Sequence, residues 1–136
     1  MERTHACGND ETQPDRLPGP GEVRIEVAAC GVCRTDLHVV DGELPHPQVP
    51  ITPGHEIVGR IDAIGSGVNG LAVGQRVGVT WLGHTCGVCH YCVEGRQNLC
   101  DHPLFTGYTR DGGFATSAIA DADYVFPLGE VGLCLD

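Results

Sequence analysis

Residues 54–68 read GHEIVGRIDAIGSGV, and the strand within this stretch decides the fold class. Residues 56–64 and 75–81 are predicted to be strands separated by a glycine-rich connection. Residues 22–28 alternate polar and apolar side chains, which is the period of a half-buried strand. Residues 113–120 and 124–127 add two short strands. Short strands at close spacing with Gly/Pro turns predict a mainly β fold, either a barrel or a sandwich.

One short helical turn is predicted between the first two strands. It covers residues 33–40, with Thr35 as its N-terminal cap and Asp41-Gly42 as its end. Residues 1–19 are polar and rich in proline and glycine, so they are expected to form an irregular arm before a single domain over residues 20–136.

Composition excludes several functional classes. The chain has 136 residues with 20 glycines and 9 prolines, which leaves no room for a bundle of long helices. Its net charge of −10 disfavours nucleic acid as a partner. It contains no lysine, and Ser66 and Ser117 both lie outside a G-x-S-x-G elbow, so Schiff-base chemistry and serine hydrolysis are disfavoured. With no signal-peptide core and no apolar run of about 18 residues, we expect a cytoplasmic protein with no membrane partner.

The cysteines between residues 86 and 100 have metal-ligand spacing. Cys86, Cys89, Cys92 and Cys100 follow the pattern C-x2-C-x2-C-x7-C. Four thiolates this close in sequence can surround one zinc ion, and a closed shell of four cysteines indicates a structural site. Disulfides and an iron-sulfur cluster are the alternatives; a cytosolic location disfavours the first, and the spacing disfavours the second. We call residues 86–100 the cysteine lobe.

A second group combines cysteine, histidine and carboxylate side chains. Cys33 lies in the run CGVCRTDLH (residues 30–38), and His55-Glu56 follows about twenty residues later. Mixed ligands of this kind are typical of catalytic zinc sites, which keep one position for water or substrate.

These motifs resemble those of one known family. The pattern Gly54-His55-Glu56-x2-Gly59-x5-Gly65-x2-Val68 is similar to the signature of zinc-dependent alcohol dehydrogenases of the medium-chain dehydrogenase/reductase superfamily. The run GVCRTDLH (residues 31–38) and the cysteine lobe resemble the same family in the same order, and the resemblance extends from about Pro20 to Pro127. It implies a GroES-like, partly open β-barrel with a zinc-binding cysteine lobe.

The resemblance also implies a ligand set for catalytic zinc. Cys33 and His55 correspond to two of its protein ligands, and Glu56 to an adjacent acid that sits near the metal or transiently ligates it. Asp36 corresponds to the carboxylate that accepts a hydrogen bond from His55 and fixes its tautomer. The family's third ligand is also a cysteine, and Cys134 is the one candidate for it, although it follows Pro127 at a short distance; an accident of truncation or an altered reading frame is the alternative.

A proton relay completes the implied site. Thr35 and His38 match a path that carries the alcohol proton from a hydroxyl near the metal, through the cofactor ribose, towards a surface imidazole. The implied reaction interconverts alcohols with aldehydes or ketones by hydride transfer to NAD or NADP.

The family's dinucleotide-binding Rossmann domain has no counterpart in this chain. Residues 65–70 satisfy G-x-G-x-x-G, but a strand rather than a helix follows, so this is not a dinucleotide fingerprint. We therefore expect the isolated chain to be inactive and the cofactor to be bound by the missing domain. The full-length form is expected to be a homo-oligomer acting on a small alcohol or aldehyde.

Two other functions remain open at this point. The chain could be a truncated, non-catalytic zinc-binding barrel that serves as a binding or interaction module. It could also be a redox protein that uses Cys30 and Cys33, although no βαβ context surrounds them and Cys30 suits a buried position at a strand end. Trp81 is expected in a pocket wall near the substrate. Three other histidines are expected to be solvated loop residues: His84, His90 and His102.

Overall fold

Antiparallel strands form the centre of the molecule. The computed structural model describes residues 16–45 and 50–130. In chain order its strands are β1 (Glu22–Gly31), β2 (Glu56–Ile64), β3 (Arg76–Val79), β4 (Leu82–His84), β5 (Leu104–Phe105), β6 (Ser117–Asp121) and β7 (Val125–Pro127). The helices are α1 (Arg34–Val40) and α2 (His90–Val93), with 3-10 turns at Gln97–Leu99 and Ala122–Tyr124. These helices are short, and within the described ranges none could span a bilayer.

The principal sheet has five strands in the order β6-β1-β2-β3-β7, and β4 pairs separately with β5. Every ladder between these strands is antiparallel. Because β6 and β7 lie at opposite edges without pairing to each other, the sheet does not close, as expected for a partly open barrel.

The core lies on one face of this sheet. It consists of nine buried, mostly β-branched side chains: Val23, Ile25, Ile57, Ile61, Val77, Val79, Ala118, Ala120 and Val125. Side chains two residues apart in a strand share a face, so the alternation over residues 22–28 delivers Val23 and Ile25 to this core. The predicted strand is confirmed, and it continues to Gly31.

A β-bulge in β1 explains why the alternation stops at residue 28. The register between β1 and β2 shifts between Val27 and Ala29, which leaves Ala28 without an opposite residue. A one-residue bulge exchanges the two faces of a strand. Val27 and Cys30 therefore both pack against the core, although they are three residues apart.

Four details of the predicted secondary structure are wrong. Thr35 does not cap α1, because Cys33 is the N-cap residue and Thr35 lies inside the helix. Strand β6 begins at Ser117 rather than at residue 113, and Tyr124 lies in a 3-10 turn before β7. The prediction for residues 75–81 is also too long, since β3 ends at Val79.

Several expectations lie outside the described residues, namely those for the arm up to residue 15 and for Cys134. Residues 16–19 are irregular, as predicted, and a turn at Pro20-Gly21 leads into β1. The G-x-G-x-x-G stretch forms the turn between β2 and the segment before β3, and no helix follows it.

Candidate metal centres

The ends of β1 and β2 bring Cys33 and His55 together. Gly31, the last residue of β1, pairs with Glu56, the first residue of β2. Cys33 therefore lies two residues beyond one strand and His55 one residue before the other, on the same side of the ladder. Cys33 Sγ is 3.3 Å from His55 Nε2. Tetrahedral zinc with ordinary Zn–S and Zn–N bond lengths separates sulfur from nitrogen by about 3.6 Å, so these two atoms fit one metal ion.

The start of α1 holds Cys33 and Asp36 in a reciprocal capping box. The Cys33 backbone N–H donates to Asp36 Oδ2 at 2.8 Å, and the Thr35 N–H donates to Cys33 Sγ at 3.3 Å. These two bonds fix the Cys33 side chain at the first turn of α1. The local fold of α1 therefore presents Cys33 as a ligand.

Asp36 lies behind the imidazole rather than beside the metal position. It is 3% exposed, and its Oδ1 is 3.2 Å from His55 Nδ1, the ring nitrogen remote from Cys33. The ring N–H is not aligned closely enough to count as a hydrogen bond, and Oδ1 is a buried oxygen with no hydrogen-bond partner. Although the three side chains lie close together, a metal on Nε2 is out of reach of this carboxylate. Asp36 therefore lies behind the imidazole, on the side away from the candidate metal position.

Glu56 lies at the edge of the same group. Its Oε1 is 4.0 Å from His55 Nε2, and its side chain is 55% exposed. The side chain lies over Gly31, where a β-carbon would come within 2.2 Å of Glu56 Oε2. The acid is therefore near the candidate metal position without being fixed there.

An apolar groove of about 700 Å³ runs away from His55 along the sheet. Its walls include Val79, Trp81, Phe126 and Leu128, and Glu56 is the only carboxylate among its described lining residues. The Trp81 ring meets His55 edge to face, with ring centroids 5.0 Å apart. Trp81 therefore lies in the wall of a groove that ends at the candidate metal site, as expected.

The predicted relay residues share one face of α1. Thr35 and His38 are three positions apart in a helix, so their side chains lie one turn from each other. His38 Nδ1 contacts the carboxylate of Glu43, just beyond the helix. The other ring nitrogen of His38, Nε2, takes no part in this contact. Sequence reasoning missed Glu43, which no motif singled out.

The thiols of the cysteine lobe cluster as their spacing predicts. The four Sγ atoms of Cys86, Cys89, Cys92 and Cys100 all lie within 4.8 Å of one another. Cys86 and Cys100 are free thiols with their sulfur atoms 3.5 Å apart, far beyond the bond length of a disulfide. Sulfur atoms on a tetrahedral zinc ion are about 3.8 Å apart. The cluster thus fits a four-thiolate zinc site.

The surroundings of these thiols differ. Backbone N–H groups of Asp101 and Cys92 lower the pKa of Cys89 to about 6. Burial raises the pKa of Cys92 to about 11. Burial also acts on Cys100, but the N–H groups of Cys86 and His102, at 3.3 and 3.4 Å, lower its pKa. Backbone donors directed at sulfur stabilise thiolates, the form that a structural zinc site uses.

The lobe has almost no apolar core of its own. Of its residues only Cys92 and Cys100 are buried, whereas Val88 and Val93 are 82% and 75% exposed. Two contacts join the residues just before the lobe to the segment around β6. His84, at the end of β4, lies 2.5 Å from Asp121 Oδ2, and the Thr85 hydroxyl lies 2.5 Å from the Tyr124 hydroxyl. The expectation that His84 is a solvated loop residue is therefore wrong, because β4 places it beside β6.

Cys30 lies outside both candidate metal centres. It is half-buried at the end of β1 and packs against the core. Burial raises the pKa of its thiol, which lowers its thiolate fraction and its reactivity at neutral pH. The site gives no support to a redox function for Cys30 and Cys33.

Residues 19–130 match the model of the family described as "Alcohol dehydrogenase GroES-like domain". The chain belongs to this family, and its β-rich, partly open sheet has the GroES-like fold. It is 49% identical over 106 residues to an alcohol dehydrogenase of Geobacillus stearothermophilus, an alignment that covers 77% of this chain and 31% of that protein. The chain thus spans about a third of the length of this relative.

Solved structures give the same family. A crystal structure of an NAD-dependent alcohol dehydrogenase matches with a TM-score of 0.79 and 32% identity, covering 86% of this chain and 34% of that one. A cobalt- and zinc-bound thermostable alcohol dehydrogenase from Pyrobaculum aerophilum matches with a TM-score of 0.76 and 33% identity, covering 82% and 34%. These relatives are all named as dehydrogenases, so a non-catalytic binding module has no support among them.

Proposed function

We propose that this chain is the catalytic domain of a zinc-dependent alcohol dehydrogenase, with NAD or NADP supplied by a separate cofactor domain. The observation that carries the proposal is the 3.3 Å approach of Cys33 Sγ to His55 Nε2, with Asp36 behind the ring, at the end of an apolar groove. Cys33 and His55 would hold catalytic zinc, with Glu56 near it. When bound, zinc supplies a Lewis acid that makes an alcohol hydroxyl more acidic.

The chain's own residues account for the other requirements of the reaction. Cys33 and His55 fix where the alcohol oxygen lies, and the Trp81 wall limits water and orients the carbon chain. The Thr35 hydroxyl would accept the alcohol proton, and His38 Nε2 would receive it at the end of the relay, while Glu43 contacts the other ring nitrogen. When bound by the cofactor domain, NAD or NADP would supply the acceptor for the hydride of the alcohol carbon.

The groove favours uncharged substrates. Its described lining contains no arginine, and the Glu56 carboxylate in it would disfavour a phosphate group. We therefore propose primary and simple secondary alcohols, with their aldehydes or ketones, as the substrate class. In the cysteine lobe, Cys86, Cys89, Cys92 and Cys100 would hold a second, structural zinc ion.

A domain graft tests this proposal. Residues 16–130 would replace the matching segment of the Geobacillus stearothermophilus enzyme, and alcohol-dependent reduction of NAD or NADP would be followed by absorbance. We expect the graft to turn over alcohol. Cys33→Ser should abolish this turnover. Cys30→Ser, the same substitution at a cysteine outside both candidate metal centres, should leave it intact. A folded, zinc-loaded graft without turnover, or one in which Cys33→Ser stays active, would contradict the proposal.

A further inference from the structure

We propose that residues 105–114, called the clamp segment below, position His55 for metal binding by fixing the backbone behind it. The proposal rests on the proposed function, since it assigns His55 as a metal ligand. It names Gly112 and Asp111 as positioning residues, although neither approaches the metal position.

Hydrogen bonds join the clamp segment to the residues just before His55. The backbone N–H of Gly112 donates to the Thr52 carbonyl at 2.7 Å, and the N–H of Gly113 donates to the Gly54 carbonyl at 2.9 Å. In the opposite direction, the Thr52 N–H donates to Asp111 Oδ1 at 3.0 Å. These bonds fix residues 52–54, which have no strand partner of their own, because β2 begins only at Glu56.

The two segments approach so closely that glycine is required. A β-carbon at Gly112 would lie 2.1 Å from the Gly54 carbonyl oxygen and 2.7 Å from the Pro53 carbonyl oxygen. A β-carbon at Gly107 would lie 2.7 Å from the Gly54 nitrogen. Since the opposing atoms belong to the backbone, a side chain could be accommodated only by moving residues 53–54 and the clamp segment apart. Such a movement would carry His55 with it.

The same segment also contacts His55 from the side, through Trp81. Phe105 and Tyr108 stack on the Trp81 ring with centroid distances of 4.9 and 5.8 Å, and Trp81 meets His55 edge to face. The Tyr108 hydroxyl in turn donates to the Pro45 carbonyl. His55 therefore has the clamp segment behind its backbone and Trp81 against its ring, with Asp36 Oδ1 3.2 Å from Nδ1. These contacts position Nε2 before a metal ion binds.

Cobalt binding tests this role without any turnover. The chain is first given one equivalent of Zn²⁺, which four thiolates in the cysteine lobe bind most tightly, and is then titrated with Co²⁺. The absorbance of a cobalt–thiolate bond reports on Cys33. In Gly112→Ala we expect Co²⁺ to bind about ten- to a hundredfold more weakly, the range typical of altered residues that support metal ligands.

Gly59→Ala is the matched control. Its β-carbon would also lie 2.1 Å from a backbone carbonyl oxygen, that of Glu26, but this clash is in the middle of the β1–β2 ladder. Both variants suffer the same kind of collision, so a general loss of stability would affect them alike. Weakened cobalt binding in Gly112→Ala alone supports the proposal. Equal weakening in both variants, or none in Gly112→Ala, overturns it.

Asp111 provides a second test should Gly112→Ala fail to fold. Asp111→Ala removes the acceptor for the Thr52 N–H without adding bulk, and we expect about two- to tenfold weaker cobalt binding. Asp111→Asn keeps an oxygen acceptor and should restore wild-type affinity. If the two variants bind cobalt equally, the proposal is wrong. If the wild-type cobalt signal survives Cys33→Ser, the ligand assignment fails, and the positioning role fails with it.

Discussion

Replacement of Cys92 with serine removes one of the four sulfur ligands proposed for the cysteine lobe. The side chain is buried among the other three thiols, whose sulfur atoms already lie within 4.8 Å of one another. These atoms need to move by only about 1 Å to form a zinc tetrahedron. The variant changes one atom and leaves the approach of the other thiols intact, so the loss in metal affinity measures a single ligand.

The magnitude follows from the affinity of small zinc sites. Structural zinc binds to zinc-finger peptides with about 10–16 kcal/mol at neutral pH. One of four equal ligands would account for roughly 3 kcal/mol or more of this, which corresponds to about a hundredfold or larger loss of affinity. The lobe has no apolar core to replace the metal, since Val88 and Val93 are exposed. We therefore expect the variant to lose zinc and its lobe to become accessible to hydrogen exchange.

Competition with a chromophoric chelator measures the affinity, and zinc per chain after gel filtration measures retention. Cys30→Ser is the control, because Cys30 is a free cysteine outside both candidate metal centres. We expect Cys30→Ser to keep about one tightly held zinc ion per chain and Cys92→Ser to lose it. Unchanged zinc affinity in Cys92→Ser would refute the assignment, as would an equal loss in both variants.

Three further predictions concern catalysis, protons and stability. In the domain graft, Thr35→Ala should lower turnover more than His38→Ala, because water can replace a terminal imidazole but not the hydroxyl at the reacting oxygen. Zinc binding to the lobe at pH 7 should release fewer than four protons, since Cys89, with a pKa of about 6, is already mostly ionised, whereas Cys92, at about 11, must lose its proton. Ile61→Ala should cost about 2–5 kcal/mol of unfolding free energy, because Ile61 is 1% exposed.

Each of these predictions has a measurement that can contradict it. Steady-state rates across pH test the relay. Equal losses of turnover in Thr35→Ala and His38→Ala would contradict the proposal that Thr35 acts at the reacting oxygen and His38 at the end of the relay. Calorimetry in buffers of different ionisation enthalpy counts the protons, and the number should rise as pH falls from 7 through the pKa of Cys89, because that thiol is then protonated before zinc binds. Urea unfolding tests Ile61→Ala against Val73→Ala at an exposed position, which should change stability by less than about 0.5 kcal/mol.

Much of the fold is visible in the sequence because its signals are local. The alternation over residues 22–28 marks β1, and the cysteine spacing marks the lobe. Prediction fails where long-range contacts decide. Residues 113 and 114 could have extended β6, but their N–H groups donate to the carbonyls of Gly54 and Pro53 instead. Cys33 replaces Thr35 as the helix cap because its sulfur accepts the Thr35 N–H and its own N–H meets Asp36.

The candidate site could likewise be predicted from the sequence only in part. Cys33, His55 and the four lobe cysteines could be selected from the sequence, because their residue types and spacing are those of metal ligands. The partners that support them could not. Asp121 lies 37 positions from His84. Nothing local distinguishes Gly112 from the chain's other glycines until the 2.1 Å approach to the Gly54 carbonyl is seen.

The pairing of β4 with β5 makes the cysteine lobe a replaceable insert. His84 and Leu104 face each other across one ladder, so the lobe leaves and re-enters the barrel at neighbouring points. A segment joined in this way can change in length without shifting the register of the five-stranded sheet. A protein engineer could therefore exchange the lobe for a short Asn-Gly hairpin turn. Circular dichroism and thermal unfolding of that shortened chain would show whether the barrel needs the lobe to fold.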